Sequence, residues 1–304
     1  MQRFNFSEDL IIAHTIAMNT YKNDPNVFGI DIGNRYENDT RKKELCVRVH
    51  LSFDGGYTST NPLITFINYA NFGVQTRRKV ITVNSERRKR FQTIKPGISV
   101  GTFASGTLGL ICFDKLNGKK PCLLTAEHVI EGRVGTIVSQ PGAGLDRGRF
   151  FADGIANKLR SDTHGDAAIA TLKRNRKYTL DQFETSNVIN GTQQVKVGDV
   201  LTKSGRTTGL TTALVDGVGV YFKKTSYMRR AIKGFRLVPI DDQNTDDIQI
   251  SDNGDSGAIW FDSKTNKGVG LLFAGENGSV KANQEFCLAQ HLPDIIERLN
   301  ISII

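Results

Sequence analysis

"SDNGDSGAIW", residues 251–260, sets Ser256 between Asp255 and Gly257, two residues after Gly254, and runs directly into an apolar segment with strand character. A tight turn of small and Asx residues entering a strand accounts for this composition by backbone geometry alone. A nucleophilic serine accounts for it equally well, provided the chain supplies a base and an acid to orient that base. The choice between the two rests on whether those partners exist elsewhere in the chain.

Five histidines could serve as base: His14, His50, His128, His164 and His291. The stretch "CLLTAEHVI" carries His128 off the end of an apolar strand, where a side chain can be both rigidly held and exposed. Taken alone, a histidine there reads equally as an ordinary surface residue. The stretch "HGDAAIATL" opens another strand with Asp166, placed to bind the second imidazole nitrogen. Asp162 sits in a more polar loop and is the lesser candidate. Base, acid and nucleophile then follow in the order His128, Asp166, Ser256.

The segments "LLTAEH", "DAAIATL" and "NGDSG", in that order, resemble the three signature segments of chymotrypsin-type serine proteases. The stretch "LTKSGRTTGLTTALV" (201–215) is similar to a strand and turn of the bacterial α-lytic-type branch. The stretches "KPGISVGTFASGTLGLICF", "GRTTGLT" and "VGLLFAG" resemble intracellular trypsin-like proteins with an extra N-terminal α/β module. The resemblance spans residues 96–304 and extends more weakly over "VFGIDIGNRY" and "LCVRVHL". It implies a mainly β chain, with two six-stranded antiparallel barrels of chymotrypsin-like type and the site in the cleft between them. It also implies a serine endopeptidase acting on a protein substrate, without metal or other cofactor.

In the implied chemistry Ser256 attacks the carbonyl. His128 takes and returns the proton, and Asp166 fixes the tautomer and steadies the imidazolium. The N–H groups of Gly254 and Ser256 are the implied oxyanion donors. Arg206 matches an arginine that pairs with the aspartate before the nucleophile, so an Arg206–Asp255 ion pair is expected. The position six residues before the serine, the implied pocket base, is Ile250. Leu272 and Phe273 form the opposite wall, with Ala274 and Gly275 as backbone edges for substrate. Such walls imply cleavage after small or medium apolar residues, unless the loop acids Asp246 or Asp247 reach the pocket.

Two positions depart from the family pattern. Val129 replaces the cysteine that follows the histidine in secreted relatives. Phe273 replaces a serine that in many relatives donates to the catalytic aspartate. The second departure keeps an alternative open: a weak or inactive protease scaffold that binds protein or nucleic acid.

The chain has 304 residues, enough for one large domain or two unequal ones, and its 30 glycines fit a turn-rich β protein. Residues 7–20 begin "SED" and carry helical apolar spacing, followed by strands in "NVFGIDIGNRY" and "KELCVRVHLSF". The stretch "NPLITFINYANF" (61–72) reads as a second helix. These make an N-terminal α+β module over 1–95, expected to bind a regulatory partner, ahead of a protease domain over 96–304 in which only "LPDIIERLN" reads as helix.

The formal charge is +9, from 40 basic and 31 acidic residues. The clusters "RRKVITVNSERRKR" (77–90) and "LKRNRK" (172–177) interleave no aromatics for base stacking, so solvated charge is expected ahead of a nucleic-acid surface. Cys46, Cys112, Cys122 and Cys287 form no CxxC pair, so no zinc site is expected. They read as reduced thiols, although Cys112 and Cys122 are spaced for a cross-strand bridge in an oxidising compartment. No basic leader and no 18-residue apolar run occur, so a cytoplasmic protein with no membrane partner is expected.

Overall fold

The computed structural model describes residues 5–37, 40–52, 56–68, 85–222, 231–240, 249–275 and 285–304. Helix α1 (Glu8–Tyr21) starts where Ser7 Oγ accepts the Leu10 N–H, with Glu8 and Asp9 complementing the helix dipole. It buries Leu10, Ala13 and Ala17 against the hairpin of β1 (Val27–Glu37) and β2 (Thr40–Leu51), where Ile30, Ile32, Val47 and Val49 complete an apolar core. Within the stretch expected to be a second helix, β3 (Ile64–Asn68) forms instead, parallel to β2 from Val47–Ile64 to Leu51–Asn68, and residues 69–72 lie outside the described residues. Ile64, Thr65 and Ile67 are β-branched and stiff at χ1, which suits a pleated edge more than a helix.

After β4 (Thr93–Ile94) come β5 (Ser99–Val100), β6 (Gly106–Thr107), β7 (Leu110–Asp114), β8 (Lys120–Thr125), β9 (Ile137–Ser139), β10 (Gly154–Ser161), β11 (Ala168–Leu172) and β12 (Lys177–Tyr178). Five of these and the terminal β19 form a six-stranded antiparallel sheet in the order β19 (Ile301–Ser302), β7, β8, β11, β10, β9. Its core is almost wholly aliphatic, with Leu110, Leu123, Leu124, Val138 and Ile169 at its centre.

The second barrel contains β13 (Val200–Gly205), β14 (Gly209–Phe222), β15 (Ala231–Val238), β16 (Ile259–Asp262), β17 (Lys267–Gly275) and β18 (Cys287–His291), followed by α2 (Leu292–Arg298). Its ring runs β13, β16, β17, β18, β15, β14 and closes where β14 pairs back onto β13. Strand β14 is longer than this closure needs. Residues 209–214 pair with β13, while the same edge over 217–221 pairs with β1, from Gly217–Gly33 to Tyr221–Gly29. The boundary expected at residue 95 therefore separates two segments whose strands share one nine-stranded sheet.

At this junction lies a cluster of buried charge. Arg48 binds Asp31 through Nε and Nη2, each at 2.7 Å, and Asp216 through Nη1 at 2.7 Å. Arg236 also pairs with Asp216, Tyr221 donates to Asp31 at 2.9 Å, and His50 Nε2 lies 3.0 Å from Asp31. Gly217 makes room for the cluster, because a Cβ there would overlap the Arg48 guanidinium and Asp31. Burial opposes ionisation of Asp31, but Arg48 and His50 outweigh it and hold the carboxyl far below the usual range.

The cluster read as solvated charge is partly so, with Lys89 and Arg90 exposed, and partly structural. Arg87 is fully buried, donates to Gly97 O and Ser204 Oγ, pairs with Glu184, and lies 4.8 Å over the Phe183 ring. Arg88 pairs with Asp146 and Arg90 with Asp153. A guanidinium can be buried in this way because both Nη groups find acceptors and its flat face rests on an aromatic ring. Residues 77–84 of that cluster lie outside the described residues.

Candidate active site

Strand register brings the base and acid together. Strand β8 pairs with β11 so that Thr125 faces Ala168, which sets the segment after β8 beside the segment before β11. The first of these is a short 3₁₀ turn, Glu127–Ile130, carrying His128. Asp166 Oδ1 accepts the His128 backbone N–H at 3.0 Å, and Oδ2 lies 2.6 Å from Nδ1. The carboxylate thus fixes both the main chain and the ring, leaving Nε2 as the nitrogen able to accept a proton. Asp166 is nearly buried, while the His128 side chain keeps 26% of its surface exposed.

The rival acid is committed elsewhere. Asp162 is gripped by the Arg298 guanidinium at 2.6 to 3.0 Å and accepts the His164 N–H at 2.9 Å. Gln290, on β18, was not singled out by the sequence. Its Oε1 accepts the Asp166 N–H at 3.1 Å and its Nε2 donates to Asp166 O at 2.6 Å, so the second barrel holds Asp166 of the first. The only advance signal was a polar pair, Gln290 and His291, in the otherwise apolar run "CLAQHL".

Ser256 sits half-buried on a turn packed against the end of β8. Gly257 has φ of 95°, and a Cβ there would overlap Thr125 Oγ1 and approach Ala126 N, two residues before His128. Ser256 O accepts the Thr107 N–H at 2.9 Å, and Gly257 N donates to Leu272 O at 2.8 Å. Among the described residues Ser256 Oγ has no hydrogen-bond partner.

The peptide before Gly254 is held from behind. Thr207 Oγ1 donates to Asn253 O at 2.8 Å, and Thr107 Oγ1 donates to Gly254 O at 2.9 Å. In a trans peptide the N–H points opposite to the carbonyl, so Gly254 N–H is turned away from Thr207. Gly254 has φ of 99°, and a side chain there would overlap Arg206 and Thr207. Among the described residues neither the Gly254 nor the Ser256 N–H has a partner, which leaves two donors for an anion.

The expected Arg206–Asp255 pair does not form. Asp255 is fully buried and takes the N–H of Thr207 at 2.7 Å and of Thr208 at 3.1 Å, Thr208 Oγ1 at 2.6 Å, and Lys203 Nζ at 3.3 Å. Burial alone would raise its carboxyl, but Lys203 and these bonds hold it below the usual carboxylate range. With those oxygens saturated, the Arg206 guanidinium passes under Gly254 and pairs with Asp146, which also accepts from Ser99 Oγ. It is buried as expected but serves another partner. Lys203, inside a strand that reads as barrel wall, was the overlooked cue.

The pocket walls are also corrected. Ile250 and Leu272 point into the second barrel core with Trp260 and Val269, and Phe273 packs with Phe28, Phe286 and Tyr221. The Phe273 side chain is taken up in that aromatic cluster, and the Asp166 backbone is supported by Gln290. Ala274 and Gly275 remain half-buried at the edge of β17. Glu285, also missed, is buried with Oε1 accepting the Ile250 N–H at 3.0 Å, so a carboxylate lies beside the expected pocket base. The apolar preference thus loses the side chains it rested on, and Asp246 and Asp247 lie outside the described residues. Among the described residues no three His, Cys, Asp or Glu side chains gather as metal ligands.

The backbone matches known structures. A Nocardiopsis protease, NAPase, superposes over 69% of this chain and 98% of its own with a TM-score of 0.52 at 18% identity. Thermobifida fusca protease A covers 70% and 98%, with a TM-score of 0.51 at 14% identity. The fold is that of the chymotrypsin-like serine proteases. A glutamic-acid-specific serine protease described as using a histidine triad in substrate binding matches the chymotrypsin-like part equally, over 69% of this chain and 100% of its own, with a TM-score of 0.51 at 15% identity. No protein-family model and no curated protein matches the sequence.

Proposed function

We propose that the chain is a serine endopeptidase in which His128, Asp166 and Ser256 act as one unit. The observation that carries this reading is the Nδ1–Asp166 contact at 2.6 Å, made by a histidine whose segment packs against the Ser256 turn. Ser256 Oγ attacks the scissile carbonyl while His128 Nε2 takes its proton. The oxyanion forms toward the N–H groups of Gly254 and Ser256. His128 then gives the proton to the leaving amine, and water releases the acyl group by the same route in reverse. The Thr207 and Thr107 bonds to Asn253 O and Gly254 O keep the turn set for the anion before substrate arrives, and a donor of this kind is worth roughly 3–4 kcal/mol of barrier. The N-terminal module, joined to β14, is assigned to partner or target selection. The four buried, unbridged thiols favour a reducing compartment such as the cytoplasm.

A fluorophosphonate probe tests the reading directly. It should label wild-type protein at Ser256 and leave Ser256→Ala and His128→Ala unlabelled, with peptide hydrolysis falling about 10⁶-fold in both. A folded wild-type protein that neither reacts nor hydrolyses peptides would make the chain a binding scaffold.

A further inference from the structure

We propose that Phe103, Leu145, Phe150 and Phe151 form a docking surface for the leaving-group side of the substrate, selecting an aromatic or branched aliphatic residue there. This deepens the peptidase reading and rests on it. The side chains are unusually open, with Phe103 75%, Leu145 70% and Phe151 80% exposed. Phe103 and Phe150 have ring centroids 5.6 Å apart, and Phe150 and Phe151 5.9 Å apart, so the rings form one continuous surface. Contiguous exposed apolar surface on a folded protein marks a contact site.

Its position identifies the occupant. Phe103 lies on a loop tied to both halves of the candidate site. Thr102 donates through N–H to Val129 O and through Oγ1 to Glu131 O, both at 3.1 Å, just after His128. At its other end Thr107 N–H donates to Ser256 O, and Gly106 is pressed against Val129 and Ser256 O. Leu145 is pinned to the same loop by its N–H on Ser105 Oγ at 2.9 Å. The opposite side of Ser256 is taken by β17, whose Leu272 exchanges backbone bonds with Gly257 and Ala258. The acyl half of a substrate is taken along Ala274 and Gly275, the backbone edges that the resemblance to chymotrypsin-type proteases implies. The amine that receives the His128 proton departs toward the loop that carries Phe103. A rigidly anchored loop loses little freedom on binding, so apolar contact there converts efficiently into affinity.

The test uses two peptides identical up to the scissile bond, with either Leu-Phe or Gly-Asp following it, and an activated ester with the same acyl half. Phe103→Ser and Phe151→Ser should lower kcat/KM on the Leu-Phe peptide about ten-fold, equivalent to roughly 1.4 kcal/mol. They should leave the Gly-Asp peptide and the ester unchanged. Equal loss on all three substrates, or no loss on any, overturns the proposal. Sedimentation showing a wild-type dimer dissociated by the same changes overturns it in favour of self-association. If wild-type protein is inert to both peptides and to fluorophosphonate, the peptidase reading fails separately. Binding of the Leu-Phe peptide to Ser256→Ala protein then decides the surface: weakening by Phe103→Ser upholds it, and unchanged binding overturns it.

Discussion

Strand β14 has a buried ionic cluster at each end, and the two are satisfied in different ways. At the turn before β14, the Asp255 carboxylate is held mainly by main-chain N–H groups of adjacent residues, with Lys203 as its only cation among the described residues. Along the second half of β14, Asp216 and Asp31 are held almost wholly by side chains, Arg48, Arg236, Tyr36 and Tyr221, drawn from β1, β2, β14 and β15. The first cluster is local and shapes a turn of a few residues. The second joins segments far apart in sequence and sets how the N-terminal strands sit on the barrel. Loss at the turn should appear chiefly in catalysis, and loss at the junction chiefly in stability.

The sharpest break comes from the two aspartates near His128. Asp166→Asn is expected to lower kcat about 10⁴-fold with little change in melting temperature, because the wrong tautomer is then favoured. Asp162→Asn should leave kcat near wild type and lower stability through loss of the Arg298 grip. Peptide kinetics alongside thermal melts separate them, and reversal of the pattern would transfer the acid role to Asp162.

Next in size is the junction. Arg48→Met leaves Asp31 and Asp216 buried with too little positive charge and should cost about 3–5 kcal/mol, read by urea unfolding. Because β1 rides on β14, this loss should appear as cooperative unfolding of the second barrel and the N-terminal strands together. Two separated transitions would break the comparison.

Thr207→Val removes the donor to Asn253 O while keeping shape. It should lower kcat about ten-fold with KM nearly unchanged, since the oxyanion turn gains freedom that matters only in the transition state. An equal fall in melting temperature would make Thr207 a stability residue instead.

The smallest expected effect is a pH dependence at the junction. His50 faces Asp31, Arg48, Arg236 and Tyr221, and burial pushes its pKa down despite the pull of Asp31. The unfolded chain takes up a proton as pH falls below about 6.5, while the folded site resists until a lower pH. The associated stability is therefore complete above about pH 6.5 and lost as the pH falls below it. Melting curves between neutral and mildly acidic pH should show this, and His50→Gln should flatten the slope.

The features legible in the sequence were those set by short-range pattern. The Ser7 cap, the strand segments of β1 and β2, and the small-residue turn at Ser256 depend on neighbours along the chain, and so could be read there. The partners of Asp255 and Arg206 could not, because hydrogen bonds from Thr207 and Thr208 decide them and no residue pattern encodes main-chain direction. The side chains of Ile250, Leu272 and Phe273 were misplaced for a related reason. Ile250 and Leu272 are drawn into the second barrel core and Phe273 into an aromatic cluster with Phe28 and Phe286, contacts set by segments distant in sequence. Gln290 stood out only as a polar residue in an apolar run, because its use arises only when two barrels meet.

The shared edge of β14 also bears on how the protein can be cut. A fragment beginning at residue 96 would look complete by its similarity to proteases, yet residues 217–221 would present bare N–H and C=O groups along an apolar strand. Such an edge recruits other strands, from copies of itself first of all. The same cut would leave Asp216 with Arg236 but without Arg48, and Phe273 and Phe286 without Phe28. Strands β1 and β2 therefore act as a fixed cover over surface the two barrels would otherwise expose, so the part from residue 96 onward is expected to clump in solution while the whole chain stays dispersed.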